Sequence, residues 1–359
     1  MQASQAVTEP PGDHGRSRRA LPQVSAAASR GSLFIVLVAL IAIFAGIDGS
    51  TFFSLSNLQV VLTTQATYGV ISLAVTVALV VGEVDLSVGG VMGAVAGVMA
   101  LMVSDGVPTG LALVLALLLG AAFGLVNGLL VTYGRLSSII ATLATGTIST
   151  GIGLAIVGPN TVSGLSQTFL SIFATPWGGI QTAFYLLVGL SVVAIVILQR
   201  TLLGRRLFFV GQNRDAAELL GIKVRRLTVG GMTVTGLLAG FAGIMLAGQN
   251  GAANVTQTNG YLLPAFAAAF LGTSAIVPGR FNAGGTLLAT YVLGAATVGL
   301  NMSGVATWST YIFNGALLII SLGMFTVLRL RKERTAKKQS MLAAERTAAA
   351  GATEAAANE

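Results

Sequence analysis

Ten long apolar segments, separated by short polar loops, constrain this chain more than any other feature. They cover about residues 33–50, 58–82, 86–104, 109–132, 139–157, 181–199, 227–248, 261–277, 284–302 and 308–328. A helix that spans a membrane needs about 17–25 mainly apolar residues. Only 9% of the chain is charged, which is too little to cover a water-facing surface. We therefore predict an all-α integral membrane protein with about ten transmembrane helices, the first serving as an anchor rather than a secretory signal.

All 20 lysines and arginines fall on one face of this ten-span topology. They precede segment 1, follow segment 10, or lie in the loops after segments 4, 6 and 8. Because cytoplasmic loops carry the excess of basic residues, this face and both termini are predicted to be cytoplasmic. We predict a disordered cytoplasmic tail over 1–31, a transmembrane domain over 32–328 and a cytoplasmic tail over 329–359. The basic charge thus indicates topology, and no nucleic-acid partner is expected.

The order and spacing of the segments suggest how they pack. Segments 2–5 start outside and segments 7–10 start inside, so we hypothesise an inverted repeat, as in transporters with alternating access. Glycines four residues apart favour close approach of helix backbones. These glycines are Gly89, Gly93 and Gly97, then Gly120, Gly124 and Gly128, and finally Gly236 and Gly240.

The stretch GEVDLSVGG at 82–90 places two carboxylates at a membrane boundary, in the predicted cytoplasmic turn between segments 2 and 3. Asp85 can cap the helix that follows by accepting a hydrogen bond from the backbone N–H of Ser87 or Val88. Glu83 is expected to stay in interfacial water. We therefore favour a structural cap over a proton or sodium site.

The longest internal loop contains NRDAAELLG at 213–221, which predicts a short helix with Asn213 as its N-cap and Gly221 as its C-terminal stop. So short a helix must dock on something, because it is not stable alone in water. One face carries Ala216, Leu219 and Leu220, and Arg214 and Glu218 are spaced to pair. Two interpretations remain open: a helix lying on lipid, and a docking element for a cytoplasmic partner.

The residues that several kinds of enzyme and transporter require are absent from the sequence. No GxxxxGK[ST] motif is present, so the chain encodes no P-loop ATPase of its own. No HExxH occurs, and the single histidine, His14, lies in the N-terminal tail. The apolar segments contain no lysine, arginine or histidine in mid-membrane, whereas gradient-driven carriers commonly place ionisable groups there. We expect no enzymatic activity, and no metal or cofactor bound by this chain.

Five stretches together resemble the permease subunits of ABC importers for ribose, xylose, galactose and related sugars. They are GEVDLSVGG (82–90), VNG (126–128), GQNRDAAELLGI (211–222), GLLAGFAGIMLAG (236–248) and GYLLPAFAAAFLG (260–272). The resemblance covers about 33–328. It implies a permease fold similar to that of cobalamin importers, in a bacterial cytoplasmic membrane. It also implies a second permease copy or paralogue, a cytoplasmic ATPase that binds ATP and Mg, and an extracytoplasmic substrate-binding protein.

The resemblance further implies that the ATPase-coupling helix corresponds to the loop helix described above. The residues carried over are Asn213, Arg214, Asp215, Ala216, Ala217, Glu218, Leu219, Leu220 and Gly221. One departure bears on the substrate rather than on the fold. Many sugar permeases read GYELDAIAA where this chain has GYLLPAFAA, so Leu262 and Pro264 replace two acids.

The predicted function is a permease that forms the path for a sugar or polyol, powered by the separate ATPase. An ABC permease for an amino acid, a nucleoside or an autoinducer sugar is an alternative, and so is a secondary carrier. Five side chains are predicted to line the path, with ordinary helix packing as the alternative for each. They are Asn57, Gln65, Asn127, Phe266 and Trp308.

Overall fold

A computed structural model describes residues 52–306, 308–327 and 329–330, together with the single positions 38, 42, 46 and 341. Apart from those positions and residues 329–330, segment 1 and the two predicted tails lie outside the described residues.

The first half of the described chain is helical. It contains α1 (Leu55–Val80), α2 (Val88–Ser104), α3 (Thr109–Thr132), α4 (Ser138–Val157), β1 (Val162–Ser163), α5 (Gln167–Ala174), β2 (Pro176–Trp177), β3 (Ile180–Gln181) and α6 (Thr182–Ile195). A π-helical turn over Val196–Arg200 extends α6. The strands are only two residues long, so each strand pair joins two loop segments and does not form an extended sheet.

The second half begins with two short helices and continues with longer ones. It contains α7 (Leu202–Gln212), α8 (Arg214–Leu219), α9 (Val224–Asn250), β4 (Ala252–Ala253), a 3₁₀ turn (Gln257–Tyr261), α10 (Leu262–Gly272), α11 (Ala283–Met302) and α12 (Trp308–Val327). Ser54, Ser166, Thr201, Asn213 and Asn282 each accept a hydrogen bond from a backbone N–H in the first turn of the following helix.

Seven helices in the described part are long and apolar enough to cross a membrane: α1, α3, α4, α6 with its π-helical turn, α9, α11 and α12. Apolar helix α2 has 17 residues, and α10 has 11. The predicted count of about ten spans is therefore not confirmed. Segment 8 was expected to continue to residue 277, but the chain turns after Gly272. There the N–H of Gly279, a residue with φ of 70°, donates to the carbonyl of Thr273 at 2.7 Å.

The centre of the protein is α9, which packs against α1, α2 and α3. A Cβ atom added to Gly124 would lie 2.3 Å from the carbonyl oxygen of Met232, and one added to Gly236 would lie 2.4 Å from that of Gly120. Close approach of helix backbones is thus confirmed for α3 and α9. In contrast, α12 and much of α3, α4 and α6 leave their apolar residues exposed, as lipid-facing helices do.

The glycines of α2 have a different neighbour from the one expected. They face residues 255–258, a turn that leads into the 3₁₀ turn before α10 and lies beside α2 instead of remaining in an outer loop. A Cβ on Gly93 would lie 2.1 Å from the carbonyl oxygen of Val255, and the Thr258 hydroxyl donates to the carbonyl of Gly89 at 2.8 Å. Thr258 is fully buried, so this segment enters the protein just before α10 begins.

The loops gather at two ends. Arg280 lies over the ring of Phe208 at 4.3 Å, and Arg225 lies over that of Tyr133 at 5.9 Å. These contacts place the loops after segments 4, 6 and 8 at one end, here called the arginine-bearing end. At the opposite end β1 pairs with β4, and β2 pairs with β3. This arrangement of the described loops matches the predicted topology.

Candidate functional site

At the arginine-bearing end, α8 has the caps that its sequence predicts. The side-chain oxygen of Asn213 accepts from the backbone N–H of Ala216 at 2.9 Å. Gly221 adopts φ of 73°, its N–H donates to Glu218, and the N–H of Ile222 donates to Ala217. Both ends of this six-residue helix are thereby satisfied without a partner protein.

One residue of α8 is buried against its neighbours, and two leucines at its end are exposed. Ala217 is fully buried against Val210 and Val224, so it fastens the helix to α7 and α9. Leu219 is 89% exposed and Leu220 is 70% exposed. On the face that was expected to meet lipid or a partner, the two leucines are thus uncovered by the described residues, whereas Ala216 is partly buried. Two adjacent exposed leucines on an anchored helix are suited to an apolar docking contact.

Arg214 was predicted to pair with Glu218. It pairs instead with Glu83, which is 131 residues away in the chain. The expectation that Glu83 stays in interfacial water is also wrong, because its side chain is only 6% exposed. A buried carboxylate without a counter-charge is costly, and Arg214 supplies that charge. The ion pair joins α8 to the turn over residues 81–87, hereafter the 81–87 turn.

Within the 81–87 turn, Asp85 accepts from Ser87 as predicted, and Ser87 is itself the N-cap of α2 and makes no side-chain capping bond. The Oδ1 atom of Asp85 accepts from the backbone N–H of Ser87 at 2.9 Å and from the Ser87 hydroxyl at 2.6 Å. Its Oδ2 atom is buried and has no hydrogen-bond partner among the described residues. Burial raises the pKa of Asp85 above its ordinary value, although the hydrogen bonds from Ser87 act in the opposite direction.

The turn is tied to α3 and α4 by buried side chains. The amide of Asn127 donates to the Ser87 hydroxyl at 2.7 Å, and its oxygen accepts from Thr145. The backbone N–H of Leu86 donates to the hydroxyl of Thr142 at 2.9 Å. Asn127 is fully buried in this chain, where it joins the turn to α4, and its role in a path stays a prediction.

The other four predicted path residues are held in separate places. Asn57 donates to the carbonyl of Phe52 at 2.8 Å, near the start of α1. Gln65 is buried where α1 meets Gly294 of α11. Phe266 stacks with Phe270, and Trp308 is 64% exposed at the start of α12. This single chain does not bring them together, and their role in a path stays a prediction.

An open cleft of about 480 Å³ lies between α8, the 81–87 turn and the loop after α3. Its charged side chains are Glu83, Arg135, Arg214, Glu218 and Arg225. Arg135 and Arg225 were not among the predicted site residues. Arg135 also has φ of 55°, a region that L-residues other than glycine seldom adopt. The cleft shows that three separate sequence regions meet beside the predicted docking helix.

Replacing Asp85 by Asn should preserve the bonds from Ser87 and raise stability near neutral pH. The Asn oxygen can accept the same two hydrogen bonds, and the cost of burying an ionised carboxylate disappears. The pKa of Asp85 is higher in the folded state than in the unfolded state, where it is about 3.9. The wild type therefore loses stability relative to Asp85→Asn as the pH rises from that value through the folded-state pKa. Melting temperatures of both proteins in detergent between pH 4 and pH 8 test this. A variant that is less stable at pH 8 than at pH 4, relative to wild type, would contradict the assignment.

The comparisons with known proteins agree on one family. Residues 57–322 match the family described as "Branched-chain amino acid transport system / permease component". The ribose import permease protein of Bacillus subtilis (strain 168) is 32% identical over 284 residues, covering 79% of this chain and 88% of the relative. The D-allose transport system permease protein of Escherichia coli (strain K12) is 28% identical, covering 81% and 90%. The L-arabinose ABC transporter permease protein of Azospirillum brasilense is 26% identical, covering 79% and 83%.

Proposed function

Because the chain belongs to the family of branched-chain amino acid transport system permease components, we propose that it is the permease subunit of an ABC importer for a sugar. The observation that carries the choice of solute is that the relatives reported above are permeases for ribose, allose and arabinose. The family also comprises transporter permeases rather than enzymes. The proposed solute class includes polyols, and an amino acid, a nucleoside or an autoinducer sugar is the alternative solute.

We place the protein in the bacterial cytoplasmic membrane, with the arginine-bearing end and both termini in the cytoplasm. The transmembrane domain over 32–328 has a fold like that of cobalamin-importer permeases, with its blocks of spans related as an inverted repeat. A second copy or a paralogue completes the path, and lipid surrounds the pair. ATP and Mg are bound by the ATPase subunit, and the solute arrives on an extracytoplasmic binding protein.

The docking element for the ATPase is α8. Support comes from the exposure of Leu219 and Leu220 on a helix that Ala217 anchors from behind. Apolar side chains that fill a partner's pocket supply much of the binding energy in protein interfaces. A helix lying on lipid would use the same leucines, so the two interpretations differ in whether the ATPase is lost when these leucines are changed.

Reconstitution with the ATPase and the binding protein tests the function. In proteoliposomes we expect uptake of a radiolabelled pentose or hexose that depends on ATP and on both partners. An ATPase whose Walker A lysine is replaced is the matched control and should give no uptake. Gradient-driven uptake by this chain alone would instead show a secondary carrier. ATP-driven uptake of leucine but of no sugar would overturn the proposed solute.

A further inference from the structure

We propose that the Glu83–Arg214 ion pair makes the 81–87 turn a mechanical link, which carries displacement of α8 to α2, α3 and α4. The proposal rests on the function above, in which α8 receives the ATPase. It assigns to Glu83 a positioning role in transport: the residue touches neither the solute nor the ATPase.

The first connection joins the turn to the α7–α8 region at two points. One is the ion pair between Glu83 and Arg214, the first residue of α8. The other is a backbone contact between Gly82 and Gly211. A Cβ on Gly82 would lie 3.0 Å from the Cα of Gly211, and one on Gly211 would lie 2.2 Å from the carbonyl oxygen of Val80. Because of these two contacts, the start of α8 cannot move without also moving the end of α1.

The second connection joins the turn to the bundle. The hydroxyl of Thr142 accepts from the N–H of Leu86 at 2.9 Å, and the hydroxyl of Ser138 accepts from the N–H of Val84 at 3.4 Å, so the turn pairs with the first part of α4. Ser87 accepts from Asn127 of α3 and immediately precedes α2. A displacement of the turn therefore displaces the ends of three helices.

The asymmetry of the ion pair suits this role. The Glu83 side chain is 6% exposed and the Arg214 side chain is 44% exposed. Separating the two would leave a charged carboxylate buried without a partner, so the pair favours moving as one unit. Chain continuity through residues 222–224 already connects α8 to α9. The 81–87 turn adds a route to α2, α3 and α4, which α8 does not reach through the backbone.

Glu83→Gln is the decisive variant, because glutamine has nearly the shape of glutamate but carries no charge. Arg214 remains in contact with solvent in this variant. With ATPase and binding protein present, we expect co-purification of the ATPase, basal ATP hydrolysis and melting temperature to match wild type. Sugar uptake, and the stimulation of hydrolysis by loaded binding protein, should fall at least tenfold. Asp105→Asn, at an exposed carboxylate of the opposite end, is the matched control and should transport normally.

Arg214→Gln and the double variant Glu83→Gln/Arg214→Gln complete a double-mutant cycle. Arg214→Gln should lower the melting temperature, since Glu83 is left buried, and the double variant should recover it. The uptake loss in the double variant should be no greater than in Glu83→Gln alone. Normal uptake by Glu83→Gln, additive losses, or loss of the ATPase from Glu83→Gln would each overturn the link. Failure of the wild-type complex to take up any sugar would instead refute the proposed function.

Discussion

Leu220→Asp is expected to release the ATPase and to reduce sugar uptake about 100-fold or more. Leu220 is 70% exposed on an anchored helix, so the substitution leaves the folding of this chain nearly unchanged. In the complex, however, it would bury an unpaired carboxylate in an apolar pocket. That costs about 3–5 kcal/mol, which corresponds to a factor of about 100 or more in affinity. Co-purification of the tagged ATPase and uptake in proteoliposomes measure the two effects.

Leu202→Asp is the matched control for this experiment. Leu202 is also an exposed leucine near the arginine-bearing end, but it lies on α7 rather than on α8. It should retain the ATPase. Glu218→Ala should weaken co-purification more mildly than Leu220→Asp, because an exposed charge contributes little. Unchanged ATPase binding and uptake in both α8 variants would refute docking on α8 and would favour the interpretation of a helix lying on lipid.

Gly236→Leu is expected to prevent folding. A Cβ at this position would lie 2.4 Å from the carbonyl oxygen of Gly120 and 2.6 Å from the backbone nitrogen of Gly124. These are backbone atoms of α3, so the two central helices would have to separate along their whole contact. Overpacking a closely packed core costs about 1–3 kcal/mol even when side chains can adjust, and here they cannot. Loss of monodisperse protein in detergent extracts would record the effect.

Gly230→Leu serves as the control for that variant, on the same helix. None of the described residues lies within 4 Å of a Cβ at Gly230, and the residue is exposed. Leucine also favours the helix by about 1 kcal/mol relative to glycine. We therefore expect a normal yield and an unchanged or higher melting temperature. Equal yields from both variants would mean that α3 and α9 do not make the close contact described above.

The helices and the caps could be predicted because their signals are local. A long apolar segment with polar ends defines a spanning helix, and α3 occupies the predicted residues 109–132. Asn213 and Gly221 bound α8 for reasons contained within nine residues. Segment 8 was misjudged because its last residues are apolar yet form a turn. Hydropathy reports composition and not backbone direction, so it cannot distinguish the two.

Long-range contacts could not be predicted in the same way. Two glycine series with equal spacing have different neighbours: Gly124 meets the long helix α9, whereas Gly93 meets the turn at 255–258. Glycine spacing shows that a backbone can approach closely, but it does not identify which one. The same holds for Asn127, whose polar side chain is compatible with a path and with a buried network.

By itself, the sequence determined the class of protein, the limits of most helices, the single basic face and the resemblance to sugar permeases. Each follows from neighbouring residues or from stretches read in order. Only the tertiary structure decided that Glu83 is buried and that Arg214 pairs with it rather than with Glu218. The local spacing favoured Glu218, but an exposed ion pair contributes little, whereas a buried carboxylate requires a counter-charge. The free energy of burial, which no local pattern reveals, selected the partner 131 residues away.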